Sequence, residues 1–308
     1  MPNPRAGGAG RRSTMKDVAA LAGVGIKTVS RVVNGEPMVT EATAQRVWDA
    51  VERLDYHLDQ RAGSLRRSDG ATSSIALLVS DVANPFAGEL HRGVEDVARA
   101  RGVAVLASSL DEDPEREAEV IRDSIRRHVD GIILDTVSHD PATLSGVLGL
   151  GVPTVLVDRA LPGVDTDCVT SDTRAAAARA TRHLLDGGHR RLALLTERLI
   201  VPTAVERRDG FLDALGEAGL REQDALLVSG LTSAERAERA LAGLLTSPRP
   251  PTAVLSGQNL IAEGAVRALW RAGLQHAIAH VGFDDLPLAD VLDPGLTVIR
   301  QDPQRMGR

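Results

Sequence analysis

The 308-residue chain is poor in cysteine, aromatic residues and lysine, and has no long apolar run. Its single cysteine, Cys168, rules out an internal disulfide framework and fits a reducing compartment. No apolar stretch approaches the roughly 20 residues that cross a bilayer. The opening MPNPRAGGAGRRST lacks the apolar core of a secretory signal. These shortages predict a cytoplasmic protein without a membrane partner, in which residues 1–13 form a disordered, Arg-bearing arm. Beyond that arm there is no low-complexity tract, and no fixed-period repeat. An apolar content of 43% is that of a globular protein, and at about 100–200 residues per domain the length allows two or three units.

The charge totals, 36 Lys+Arg against 42 Asp+Glu for a net of −6, argue against a polyanionic partner. Their distribution reverses that reading. Residues 1–70 hold 2 Lys and 9 Arg against 8 acids, a net of +3, whereas the other 238 residues hold 25 Arg against 34 acids, a net of −9. Both lysines, Lys16 and Lys27, fall in the basic segment. The asymmetry suggests a small module that meets a polyanion, joined to an acidic body.

Apolar spacing divides the chain accordingly. Met15, Val18, Leu21 and Ala22 mark a short amphipathic helix with Thr14 as its N-cap. Gly23-Val24-Gly25 interrupts it, a second helix covers Ile26 to Val33, and Asn34-Gly35 with Pro37 stops that one. Thr40 is expected to cap a third helix with Ala44, Val47, Val51 and Leu54 on one face. This is a helix-turn-helix arrangement over residues 14–57. Residues 58–73 are too polar for core and read as a linker. From 74 to 308, short β-branched runs alternate with helical patterns, which implies parallel sheets built from right-handed crossovers. Strands are expected at Ile75–Val79, Val103–Ala107, Gly131–Leu134, Thr154–Val157, Leu192–Leu195, Ala253–Leu255, Ala279–Gly282 and Thr297–Ile299. Helices are expected near 88–100, 115–128, 141–149, 173–186, 204–218, 233–245 and 260–272. About 235 residues suit two lobes: the first about 74–158, the second about 159–290, and a return crossing about 291–308.

In a helix-turn-helix the second helix enters the major groove, and side chains near its start reach base edges. Lys27 and Arg31 can donate to guanine O6 and N7, and Ile26 can meet a thymine methyl. Thr28, Ser30 and Asn34 are placed to hold phosphates, as is Thr14 at a helix N-terminus. Spacing alone leaves open a three-helix interaction module with a solvated basic face. The residues go further. Asp17-Val18-Ala19, Ala22-Gly23-Val24 and Thr28-Val29-Ser30-Arg31-Val32-Val33-Asn34 resemble, almost position for position, the headpiece of the lactose-repressor (LacI/GalR) family of bacterial transcription regulators. Gly25 departs from the family's Ser at the start of the recognition helix. The linker is similar to the family hinge, with Leu65 at the position of the leucine wedged into the minor groove. Here Leu58 replaces the usual Pro and Asp59 the usual Asn.

The body resembles the family's periplasmic-binding-protein-like effector domain through SDVANPFAGELHRGVEDVARARG, GVPTVLVDR, the ERRDGF segment and VGFDDLPLADVLDPGLTVIRQ. Such a fold holds a ligand between lobes, at the carboxyl ends of strands. The resemblance places effector contacts at Phe86, Asp158, Arg207, Gln258 and Asp284, with Arg159 and Phe283 adjacent. Two carboxylates and an Arg suit hydroxyls of a sugar or nucleoside-like effector. Gln258-Asn259 replaces the family's Asn-Asp, and Leu231 stands near where an aromatic residue is often found. With three Phe, one Tyr and two Trp in the chain, a stacking platform for a pyranose is thin. Family members usually continue beyond the segment matching QDPQRMGR with a helix and a closing strand.

The resemblance therefore implies a repressor, homodimeric on a pseudo-palindromic operator and controlled by a small effector, with no cofactor. Whether the effector induces or co-represses stays open. No nucleophile elbow or Walker loop is present. His276 and His280, four apart without a Cys or a spaced carboxylate, read as ordinary residues, so no metal is expected. Asp111-Glu112-Asp113 reads as a solvated turn and helix start. A carbohydrate-active enzyme with paired carboxylates such as Asp158 and Asp284, or a plain solute-binding protein, remain the alternatives.

Overall fold

The computed structural model describes residues 13–33, 35–56 and 72–308. Residues 1–12 of the expected arm, Asn34, and residues 57–71, which include Leu65 and most of the expected linker, lie outside the described residues. The chain divides into two compact units, residues 1–72 and 73–308.

The first unit holds α1 (Met15–Ala22), α2 (Ile26–Val33) and α3 (Glu41–Arg53). Thr14 caps α1 through a capping box with Asp17, and Gly23 ends it in the left-handed conformation (φ 66°). Val18, Val29 and Val47, one from each helix, are fully buried and form the centre of the small core with Ala19, Ala22, Val32 and Ala50. Thr40 precedes α3 as expected, but its hydroxyl bonds to Thr43 Oγ1 (3.0 Å) instead of capping a backbone N–H.

The second unit contains two parallel five-stranded sheets of identical topology. In the first, β1 (Ser74–Val79), β2 (Ala104–Ser109), β3 (Gly131–Leu134), β4 (Thr154–Val157) and β5 (Cys168–Val169) lie in the order β2-β1-β3-β4-β5. In the second, β6 (Leu192–Leu195), β7 (Leu226–Val228), β8 (Ala253–Ser256), β9 (Ala279–Phe283) and β10 (Thr297–Ile299) lie in the order β7-β6-β8-β9-β10. The central strands LALL and AVLS are buried along their whole length, as sheets covered on both faces require.

The covering helices are α4 (Pro85–Ala100), α5 (Pro114–Arg126), α6 (Pro141–Leu148), α7 (Thr173–Asp186), α8 (Pro202–Glu217), α9 (Ala234–Leu245), α10 (Asn259–Ala272) and α11 (Pro303–Gly307). Asn84-Pro85, Asp113-Pro114 and Asp302-Pro303 each pair an N-cap side chain with a proline in the first turn, a position that needs no N–H.

Two lobe boundaries differ from the sequence reading. Strand β5 pairs with β4, so the first lobe runs to Val169 and not to 158. Strand β10 pairs with β9, so the second lobe runs to Ile299 and the return crossing is confined to residues just after it. β5 is an edge strand of two exposed residues, too short to carry the apolar alternation that marks a strand, whereas β10 stands at Thr297–Ile299 as expected and only its membership of the second sheet was not anticipated. After the return, α11 packs on α4. The two helices come so close that a Cβ on Gly93 would lie 2.2 Å from Gln304 O, and one on Gly307 2.4 Å from Leu90 O.

Candidate functional site

Two sites emerge, one in each unit. In the first, Val29 and Val32 fix α2 to the core, which turns the opposite face outward: Ile26 (45% exposed), Lys27 and Arg31. Thr28 and Ser30 flank that face and are half-buried. Arg31 Nε lies 3.9 Å from Glu36, a loose exposed pair that leaves the guanidinium available. The Thr14 hydroxyl donates to Asp17 Oδ2 (2.6 Å), so at this position the capping box engages the group that was expected to reach a phosphate.

In the second unit a cavity of about 50 Å³ lies between the sheets at the carboxyl ends of their strands. It shares walls, among them Ser80, Asn84 and Gln258, with an outer pocket of about 400 Å³. All five residues assigned by resemblance line the inner cavity: Phe86, Asp158, Arg207, Gln258 and Asp284. Arg159 lines it too, while Phe283 supports it from behind, its ring centroid 4.4 Å beneath the Arg207 guanidinium.

The topology explains the convergence. Asp158 follows β4 and Asp284 follows β9, equivalent strands of the two sheets. Both residues adopt left-handed backbone, with φ 64° and 66°. Each donates its N–H to the neighbouring edge strand, Asp158 to Val169 O (2.9 Å) and Asp284 to Ile299 O (2.8 Å). Aspartate tolerates this conformation better than most residues. Burial pushes both carboxyls up, while the nearby Arg207 pulls them down. Asp284 Oδ1 accepts from Gln301 Nε2 (2.7 Å), whereas the buried Asp158 Oδ1 has no partner in the protein.

Arg207 donates to Glu197 Oε1 (3.0 Å), and its buried Nε has no hydrogen-bond partner. Gln258 is the N-cap of α10 and accepts from Leu260 N–H (2.7 Å), and its amide NH2 is left to donate to a ligand.

Several lining residues were not assigned from the sequence. Ser80 and Asp135 follow β1 and β3 directly, and Glu197 follows β6 after one residue. The signal was the one already applied to Asp158, a polar residue at the end of an apolar strand. Asp135 is buried and pushed up to about 6, with Arg159 opposing the effect of burial. Glu112 corrects the reading of Asp111-Glu112-Asp113 as a solvated turn. Its carboxylate accepts from Arg159 NH2 (2.7 Å) and NH1 (3.2 Å).

Across the cleft, Asn84 of the first lobe and Asn259 of the second exchange amide hydrogen bonds of 3.2 and 2.7 Å. His276 and His280 point elsewhere: His280 Nε2 is 2.8 Å from Ser256 Oγ and His276 Nε2 3.6 Å from Asp293. Among the described residues no helix is long and apolar enough to cross a membrane.

Known proteins match both units. Residues 14–59 match the family described as bacterial regulatory proteins, lacI family, and residues 72–308 match periplasmic binding proteins and sugar binding domain of LacI family. The chain is 35% identical over 298 residues to the ribose operon repressor of Escherichia coli (strain K12), covering 96% of this chain and 90% of that protein. It is 34% identical over 290 residues to the HTH-type transcriptional regulator GalR of the same organism, covering 94% and 84%. A crystal structure of the lac repressor dimer bound to operator and the anti-inducer ONPF aligns with a TM-score of 0.84 at 26% identity, covering 96% of this chain and 90% of that one. A helix-turn-helix unit followed by a two-lobed parallel α/β unit, with relatives of this identity and coverage, places the chain in the LacI family of bacterial regulatory proteins.

Proposed function

We propose that the chain is a cytoplasmic operator-binding repressor whose grip on DNA is controlled by a small polar effector, a sugar or nucleoside, held in the cavity between the lobes. It acts as a homodimer on a pseudo-palindromic operator, so that each headpiece meets one half-site. Lys27 and Arg31 donate to guanine edges and Ile26 packs on a thymine methyl, while Thr28 and Ser30 contact phosphates and Thr14 presents the start of α1 to the backbone.

The observation that carries the effector reading is the convergence of Phe86, Asp158, Arg207, Gln258 and Asp284 on one cavity, with buried Asp158 Oδ1 and Arg207 Nε unpartnered. One hydroxyl can donate to a carboxylate and accept from a guanidinium at once, so vicinal hydroxyls satisfy both groups. A ligand that touches Asp158 from one lobe and Asp284 from the other binds the closed arrangement better than the open one, and that difference shifts the population. The relatives named as a ribose operon repressor and a lac repressor bound to operator support both halves of the reading. Membership in a family of regulators displaces the enzyme and solute-binding alternatives.

The test is a titration of the full chain against selected DNA over a range of salt, with and without sugars and nucleosides. Sequence-selective binding that weakens with salt, and that responds to one of the compounds, is expected. Equal affinity for unrelated DNA would overturn the operator assignment. An unchanged response in Arg207→Ala would remove Arg207 from the effector site.

A further inference from the structure

We propose that the cleft selects uncharged, hydroxyl-bearing ligands and rejects their phosphate esters, because both arginines facing it are neutralised within the protein, Arg207 by Glu197 and Arg159 by Glu112 and Asp135. The inference rests on the effector reading above and names the ligand class that the site takes.

The Arg207–Glu197 pair is 3.0 Å long, with side chains 4% and 13% exposed. Arg159 makes a two-pronged contact with Glu112, at 2.7 and 3.2 Å, and its Nε lies 3.2 Å from Asp135 Oδ1. The fork of Arg159 that would grip a phosphate is therefore already occupied by a carboxylate. Counted formally, the inner cavity is lined by five carboxylates and two guanidiniums, a net of −3. The outer pocket adds Asp81 and Asp111 against Arg198.

Helix N-termini are the other common anion holders; two of those at the cleft carry side-chain caps, whereas α8, whose Val201 and Thr203 line the pockets, begins without one, beside the Glu197 carboxylate. Asn84 caps α4 by accepting from Phe86 N–H (3.0 Å), and Gln258 caps α10 by accepting from Leu260 N–H (2.7 Å). The Asn84 and Asn259 amides, moreover, bond to each other. The buried side-chain atoms left without a hydrogen bond at the cavity are of both kinds, the donors Arg159 Nε and Arg207 Nε and the acceptors Asp135 Oδ1, Asp158 Oδ1 and Gln301 Oε1. A hydroxyl answers both, whereas a phosphate oxygen answers only the donors. Asp158 Oδ1 and Gln301 Oε1 are buried acceptors without partners, and both call for O–H donors on a ligand.

The experiment uses the full chain and three probe pairs in a thermal-shift titration: D-ribose, D-galactose and adenosine, each beside its monophosphate ester. The free member of at least one pair is expected to raise the midpoint, and its ester to need a concentration higher by about a hundredfold or more. An ester that stabilises as well as its free partner would overturn the inference while leaving the effector reading intact. Silence of all six compounds would contradict the effector reading, and the inference with it. Glu197→Gln frees Arg207 and should narrow the ratio by about tenfold or more. Glu112→Gln, at a position with a third of its side chain exposed, should move it in the same direction and serves if the first variant does not fold. A ratio unchanged in the variants that fold would overturn the role given to these acids.

Discussion

At the scale of residues, the site depends on charges held out of water. Asp158 and Asp284 occupy the same place in the two lobes, in a backbone conformation that non-glycine residues rarely adopt. Asp284→Asn keeps that conformation accessible, and its amide oxygen can still accept from Gln301. The substitution is expected to lower effector affinity by about 10–100-fold, the worth of a charge-assisted hydrogen bond, without lowering the thermal midpoint. Calorimetric titration checks the first expectation and a melt the second. Asp135 gives a pH signature. Burial raises it from 3.8 to about 6, so the folded state favours its protonated form. Its contribution to stability is full below about 4 and is lost as pH rises through 6. Asp135→Asn should flatten that fall, by at most about 3 kcal/mol, in urea unfolding across the window. His280 acts with the opposite sign. Lowered from 6.5 to about 4 by burial, it supports the fold above 6.5 and withdraws that support as pH falls toward 4. The five residues named by resemblance meet at one cavity, but three of the five acids that set its charge, Glu112, Asp135 and Glu197, were not assigned to it. Asp135 and Glu197 carried the same strand-end signal as Asp158. Glu112 carried none, because it reaches the cleft from a turn in which Asp111 and Glu112 have φ of 55° and 54°.

At the scale of elements, long apolar strands and capped helices were legible from local chemistry. Gly131–Leu134, Thr154–Val157 and Leu192–Leu195 stand where their apolar runs place them. Helices α4 and α8 begin earlier than expected, at Pro85 and Pro202, because a proline in the first turn starts a helix more often than it delays one. Strands β5 and β7 and helix α11 have only two, three and five residues, too few for any periodicity to show. Close helix crossings were also invisible. A Cβ on Gly210 of α8 would sit 2.1 Å from Arg174 O of α7, whereas nothing lies within 4 Å of one on Gly216 in the same helix. Gly210→Ala is therefore expected to destabilise the second unit by about 1–3 kcal/mol through overpacking. Gly216→Ala should stabilise it by up to about 1 kcal/mol through helix propensity. Denaturant midpoints of the two variants separate these effects, and equal shifts would contradict the crossing geometry. For the recognition helix, Arg31→Ala is expected to cost about 1–3 kcal/mol of operator affinity and to relax specificity at one base pair. A uniform loss across all sequences would reassign Arg31 to the phosphates.

At the scale of the whole molecule, a net charge of −6 averages a basic segment of +3 and a body of −9. The basic segment carries the exposed Ile26, Lys27 and Arg31 face, and the acidic body carries a cleft whose arginines are neutralised from within. The distribution suits a protein that holds a polyanion with one unit and an uncharged effector with the other. The central claim is that these two events are coupled. Its most direct test is fluorescence anisotropy of the full chain on DNA selected from a random pool, at physiological salt, titrated with the free sugar or nucleoside that stabilises the protein. The expected result is a pseudo-palindromic selected sequence bound at least about a thousandfold more tightly than unrelated DNA. Its affinity should change on titration in the wild type, and the same change in Asp284→Asn should need about 10–100-fold more ligand. Equal affinity for all DNA, or an affinity that never responds to a ligand bound in the cleft, would contradict it.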